Sequence, residues 1–217
     1  TGRAFACAGF GAERIVSLGP YTTENLLLLG VEKELVGVTA HDRKEVQQGR
    51  TNIGTLLEPN IETIASLKPD MVVASKEGNR EQSVQKLRAL GMRIVVLDEV
   101  RSYEDSKRNF LFLARQTGLE EKAQEVLAGI ARRMRSSTPA VRKKVFIQLG
   151  ARPLVTAGRR TYLDEMIQRA GGENLFHSSS HKYLVVGQEE VLKRGPDVIV
   201  SIGMGQEAEI VSFWKRF

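Results

Sequence analysis

The chain has 217 residues, 41% hydrophobic and 27% charged, with a net charge of +6. That length suits one large or two small domains, and the balance is that of a globular chain rather than a disordered or fibrous one. No apolar stretch approaches the roughly 20 residues needed to span a bilayer. The 26 acidic residues interleave with the 32 basic ones and aromatics make up only 6%, so no nucleic-acid partner is expected.

The predicted elements alternate strand and helix. The run Arg14–Leu18 reads as a buried strand that ends at Gly19-Pro20. Thr22 or Thr23 then caps a helix that carries Leu26–Leu29 and stops at Gly30. Leu35–Thr39 is the next strand, and residues 41–60, polar and broken by Gly and Pro, read as loop. Asn60 caps a helix over Ile61–Leu67, Pro69 ends it, and Met71–Ala74 is a strand. A helix over Ser83–Leu90 and a strand over Arg93–Leu97 follow.

From Tyr103 to Ser137 there is no strand signal. Phe110, Leu113, Ala114 and Thr117, then Ala123, Val126, Leu127, Ile130 and Met134, keep helical spacing, so one long helical joint is expected here. Strand and helix signals then resume: Lys144–Leu149, Leu154–Thr156, a helix over Tyr162–Ala170 closed by Gly171-Gly172, and a strand over Val198–Ile202. The division expected is a tail over 1–12, a first lobe over 13–101, a helical segment over 102–138 and a second lobe over 139–217. The fold class expected is α/β: two α/β sandwich lobes, parallel or mixed sheets covered by helices, joined by a long helix.

One phrase occurs twice. Residues 62–75 read ETIASLKPDMVVAS and residues 189–202 read EEVLKRGPDVIVSI. Glu62 matches Glu189, Pro69-Asp70 matches Pro196-Asp197, and Met71-Val72-Val73 matches Val198-Ile199-Val200. A repeat at this distance points to two similar lobes, with a ligand cleft between them, rather than a short-period solenoid. Glu62 and Glu189 at helix starts satisfy the helix dipole. Equivalent acids on two similar lobes also suit docking to a twofold-symmetric partner that carries arginines.

Catalytic signatures are absent: there is no G-x-S-x-G elbow and no G-x-x-x-x-G-K-[ST] loop. Gly203–Ala208 fits G-x-G-x-x-A after a strand, which keeps a dinucleotide-dependent enzyme open as an alternative, but no acidic ribose ligand follows it. His41, His177 and His181 keep open a zinc- or manganese-binding receptor, although the Ser178-Ser179-Ser180 spacing reads as a surface loop with solvated histidines. No catalytic residue, resident metal or resident cofactor is assigned. Cys7 has no internal partner for a disulfide. It follows Ala4-x-Ala6, which resembles a signal-cleavage site after which Cys carries lipid; a plain disordered start is the alternative.

The strings RIVSLGPYTTENLLLLG, LVGVT, NIETIASLKPDMVVAS and KLRALGMRIVVLD, followed by KKVFIQLG, AGGENLF and GQEEVLKRGPDVIVSIG, resemble the substrate-binding proteins of bacterial ABC importers. The class is the one with a rigid helix between lobes, serving cobalamin, ferric siderophores and haem; the likeness is greatest to its cobalamin binders and covers residues 13–214.

The resemblance implies a monomeric, extracytoplasmic binding protein, free or lipid-anchored at Cys7, whose ligand is cargo rather than cofactor. Its partners are a small-molecule ligand and a twofold-symmetric ABC permease that meets Glu62 and Glu189. The positions implied for ligand contact are Pro20, Tyr21, Thr22, His41, Leu56, Lys76, Arg152 and Tyr183. Cobalamin binders often carry Trp or Tyr where this chain has His41, Leu56 and Lys76. Tyr21, Tyr183, Lys76 and Arg152 suit haem propionates or a siderophore carboxylate, and Tyr or His suits haem iron. The resemblance also implies further second-lobe structure after Phe217.

Overall fold

The computed structural model describes residues 13–135, 142–202 and 207–216. The chain divides into two compact units, one running up to Glu99 plus Glu104–Gly129, the other Val100–Tyr103 plus Ile130 onward.

The first unit is built on β1 (Ile15–Ser17), β2 (Leu35–Val38), β3 (Thr51–Asn52), β4 (Met71–Ser75) and β5 (Ile94–Leu97), all parallel, in the order β3-β2-β1-β4-β5. Its helices are α1 (Pro20–Leu29), α2 (Lys44–Gln47), α3 (Ile61–Ser66) and α4 (Glu81–Ala89), followed by α5 (Tyr103–Thr117) and α6 (Glu120–Arg135). Strand alternation sends Ile15, Met71 and Val73 to one face, against Leu26 and Leu29 of α1, Phe110 and Leu113 of α5, and Ala123 and Leu127 of α6. Val16, Val72 and Ala74 face the other way, against Ile64 of α3 and Val84 and Leu87 of α4. Covering both faces explains why β4 is buried throughout, its apolar run Met71–Ala74 unbroken by polar alternation. Each such Leu, Ile or Phe stabilises the fold by about 1.5–3 kcal/mol relative to exposure.

The second unit repeats the plan on a smaller scale. Here β6 (Lys144–Gln148) lies between β11 (Val198–Ser201) and β9 (Glu173–Asn174), all parallel. A second, antiparallel sheet is formed by β7 (Gly150–Ala151), β8 (Leu154–Ala157) and β10 (Tyr183–Val185). Val145 and Ile147 pack on Ile167 of α7 (Tyr162–Arg169). Phe146 turns to the opposite face, against Val191 of α8 (Gln188–Arg194) and Trp214 of α9 (Glu207–Trp214), its ring 5.7 Å from the indole. Thus β6 stands where β1 stands, with α7 and α8 in the places of α1 and α3.

The repeated phrase is a structural joint. Asp70 precedes β4, and its Oδ2 accepts the backbone N–H of Glu13 and Arg14 at 3.0 and 2.9 Å. Asp197 precedes β11, and its Oδ2 accepts the N–H of Lys144 at 2.7 Å. Each carboxylate therefore satisfies donors at the start of the neighbouring parallel strand, which the ladder leaves open.

Several expectations are corrected. Thr22 and Thr23 do not cap α1: the helix starts at Pro20, whose missing N–H suits a first turn, and both hydroxyls are buried inside the bend. Residues 41–60 are not all loop, because α2 seats Val46 in the core and β3 extends the sheet. The helical joint is two helices, divided at Gly118, whose φ of 72° ends α5. Tyr183 opens strand β10.

Candidate functional site

In an all-parallel sheet every strand ends on the same edge, and connecting loops gather there. The first unit winds outward in both directions from β1, so the switch point lies between β1 and β4 at that carboxyl edge. Pro20 and Tyr21 follow β1, His41 follows β2, Leu56 follows β3 and Lys76 follows β4. The fold thus brings these five sequence-predicted residues to one edge. Thr22 is also there but 1% exposed, its Oγ1 donating to Gly19 O at 2.8 Å and lying 2.6 Å from Ser17 Oγ. It shapes the bend instead of facing outward.

Asn79, which no sequence pattern singled out, ties this edge together. It is 9% exposed. Its Nδ2 donates to Leu18 O and to Leu56 O, both at 2.9 Å, and its Oδ1 accepts Ser75 N at 2.8 Å. One amide therefore joins the loops after β1, β3 and β4. Leu56 completes the contact: a Cβ on Gly78 would sit 3.0 Å from its Cδ2, so glycine is what allows the close approach.

A second polar group supports the far side. Asn109 of α5 is 4% exposed and donates to Tyr21 Oη at 3.1 Å and to Asp98 O at 2.8 Å, while its Oδ1 accepts Asp98 N at 3.0 Å. Burial raises the Tyr21 phenol above its ordinary pKa, against hydrogen bonds from Asn109 and Ser106 that lower it. Asp98, just beyond β5, pairs with the Lys76 ammonium, and that hydrogen bond raises the Lys76 pKa. The sequence carried one signal for Asn109: a polar residue four positions before Leu113, on the apolar stripe of α5.

In the second unit Arg152 lies in the turn between β7 and β8, and Tyr183 on β10 is 59% exposed. His177 is not simply solvated. Its Nδ1 lies 3.0 Å from Oδ2 of Asp164, a buried carboxylate that also accepts from Asn174 and Gln168 at 2.8 Å. Among the described residues no three His, Cys, Asp or Glu side chains gather as a metal site. Cys7 and Gly203–Gln206 lie outside the described residues.

Glu62 is exposed on the first turn of α3, which Asn60 caps by accepting Thr63 N at 2.9 Å. Glu189 is exposed on the first turn of α8. Each is followed by the same joint: a left-handed residue (Lys68, φ 46°; Gly195, φ 63°), then Pro, Asp and a parallel strand.

Residues 15–213 match the periplasmic binding protein family. The chain belongs to that family. It is 32% identical over 211 residues to the vitamin B12-binding protein of Salmonella typhimurium, covering 94% of this chain and 78% of the relative. Among solved structures it is similar to the periplasmic haem-binding protein of Vibrio cholerae (TM-score 0.81, 25% identity, 90% of this chain and 78% of that one). It is also similar to the periplasmic vitamin B12-binding protein of the same organism (TM-score 0.71, 27% identity, 94% and 82%). The periplasmic binding protein family supplies non-enzymatic, ligand-binding components of transport. Among the described residues no helix is long and apolar enough to cross a membrane.

Proposed function

We propose that this chain captures a corrinoid or an iron chelate, such as cobalamin, haem or a ferric siderophore, outside the cytoplasm and delivers it to an ABC permease. The observation that carries this reading is the match to vitamin B12-binding proteins along 94% of the chain. Pro20, Tyr21, His41, Leu56 and Lys76 of the first unit and Arg152 and Tyr183 of the second contact the cargo, with Thr22, Asn79 and Asn109 holding the loops. Support for this set is its placement at strand ends and turns, where α/β proteins recognise ligands. Cargo recognition needs only shape and a few oriented polar groups, with no covalent step.

Glu62 and Glu189 dock the protein, as a monomer, onto two equivalent permease subunits that carry arginines. Their support is the repeated joint, their exposure, and the lack of any hydrogen bond or ion pair to either carboxylate among the described residues. Cys7 is the site of a lipid anchor. Uptake of radiolabelled cargo by proteoliposomes containing the cognate permease and its ATPase tests delivery. Wild-type protein stimulates uptake, and the Glu62→Ala, Glu189→Ala double variant loses that stimulation while keeping its cargo affinity. Full stimulation by the double variant contradicts the docking roles.

A further inference from the structure

The two copies of the repeated phrase differ in a compensated way. In α3 the residues that match Glu190 and Arg194 of α8 are Thr63 and Leu67, neither of them charged. Where the second copy adds an acid, it adds a cation one turn later, at the spacing that lets two helical side chains meet. They do meet: Glu190 Oε1 accepts Arg194 Nε at 3.1 Å and Nη2 at 2.7 Å. A lone exposed pair of this kind holds weakly, but Arg194 is also fixed from outside the helix. Its Nη1 donates to Leu175 O at 3.1 Å, and its guanidinium lies 4.5 Å from the centre of the Phe176 ring. Phe176 is 3% exposed, so the cation rests on a core aromatic, a face on which a planar guanidinium stacks well. Glu190 thus answers a cation whose place is set by the segment after β9.

Glu189 stands apart from this clasp. Neither its carboxylate nor the ammonium of Lys193, which replaces Ser66, has a hydrogen bond or ion pair among the described residues. Ile64 and Val191, the matched residues two positions after Glu62 and Glu189, are both fully buried. The two helices therefore sit on their sheets by the same face and expose the same acid.

We propose that Arg194 withdraws Glu190 from the docking surface, so that each unit offers one acid, Glu62 or Glu189, to two identical partner sites that carry arginine. This rests on the docking roles proposed above and adds to them the residue that sets their charge balance. Arg194 acts by positioning Glu190.

The clasp is tested first without any permease, by NMR of the arginine Nε–H groups in the full chain. Arg194 Nε–H is expected to exchange with water about threefold faster in Glu190→Gln and at the wild-type rate in Glu189→Gln. Equal rates in wild type and Glu190→Gln overturn the clasp.

Withdrawal from the surface is then read from affinity for the cognate permease in nanodiscs. Glu189→Ala is expected to weaken binding about tenfold. Arg194→Met in that background frees Glu190 and recovers about threefold, and adding Glu190→Gln abolishes the recovery. A gain that depends on Glu190 cannot come from a role in folding alone. In the otherwise unaltered chain, Glu190→Gln leaves the Arg194 charge unanswered and weakens binding about threefold, whether or not Arg194→Met folds. No recovery by Arg194→Met, together with unchanged affinity of Glu190→Gln, overturns the withdrawal of Glu190. Faster Nε–H exchange in Glu190→Gln, with Glu189→Ala binding as tightly as wild type, overturns the docking role of Glu189 and leaves the clasp a structural tie.

Discussion

Lys68 and Gly195 occupy the same place in the repeated joint, and both are left-handed, at φ 46° and 63°. A Cβ added at Gly195 meets nothing within 4 Å, so its replacement carries only the backbone penalty. Gly195→Ala is therefore expected to cost about 1 kcal/mol in urea unfolding, with no change in the slope. The pair shows what a sequence conceals: Gly-Pro-Asp announces the turn, whereas Lys-Pro-Asp reads as a helix end with no hint of a left-handed residue.

Tyr21 allows a pH experiment at the same scale. Burial raises its folded pKa above the ordinary 10.0, so it remains a neutral phenol at physiological pH. A raised folded value means that its contribution to stability is complete below the unfolded pKa and is lost as pH rises through the folded one. Ultraviolet phenolate titration should show a step later than that of an ordinary tyrosine, and Tyr21→Phe should remove it.

At the scale of elements, the aspartates of the repeat tie strand starts together. Asp70 accepts two backbone donors and Asp197 accepts one. Asp70→Ala should cost about 1–3 kcal/mol and Asp197→Ala about half that, measured by chemical denaturation. The two copies were legible in the sequence because the phrase repeats, and so were the strand ends that carry Pro20, Tyr21, His41 and Lys76, because βα alternation places them; the strand before Leu56 was not. Asn79 and Asn109 were not legible as supports for the edge. Asn79 bonds to Leu18 across 61 positions and Asn109 to Tyr21 across 88, pairings that only the folded sheet creates. Elements as short as the four-residue α2 and the two-residue β3 show no period to read. The apolar spacing that runs through α5 and α6 hides the stop at Gly118.

At the scale of the whole molecule, two units repeat one plan: a central strand, parallel neighbours, helices on both faces, and an exposed Glu at the start of the helix before the Pro-Asp joint. Repetition explains how two separate stretches of chain come to offer the same exposed acid, the group proposed above for docking. The first unit presents Tyr21, His41, Leu56 and Lys76 at its carboxyl edge; the second adds an antiparallel hairpin with Arg152 at its turn. Cargo capture, as proposed above, means binding a corrinoid or an iron chelate. Isothermal calorimetry with cyanocobalamin, haemin and a panel of ferric siderophores tests it most directly. One of them should bind one-to-one at sub-micromolar Kd, about −8 kcal/mol or better; no binding across the panel would contradict the account.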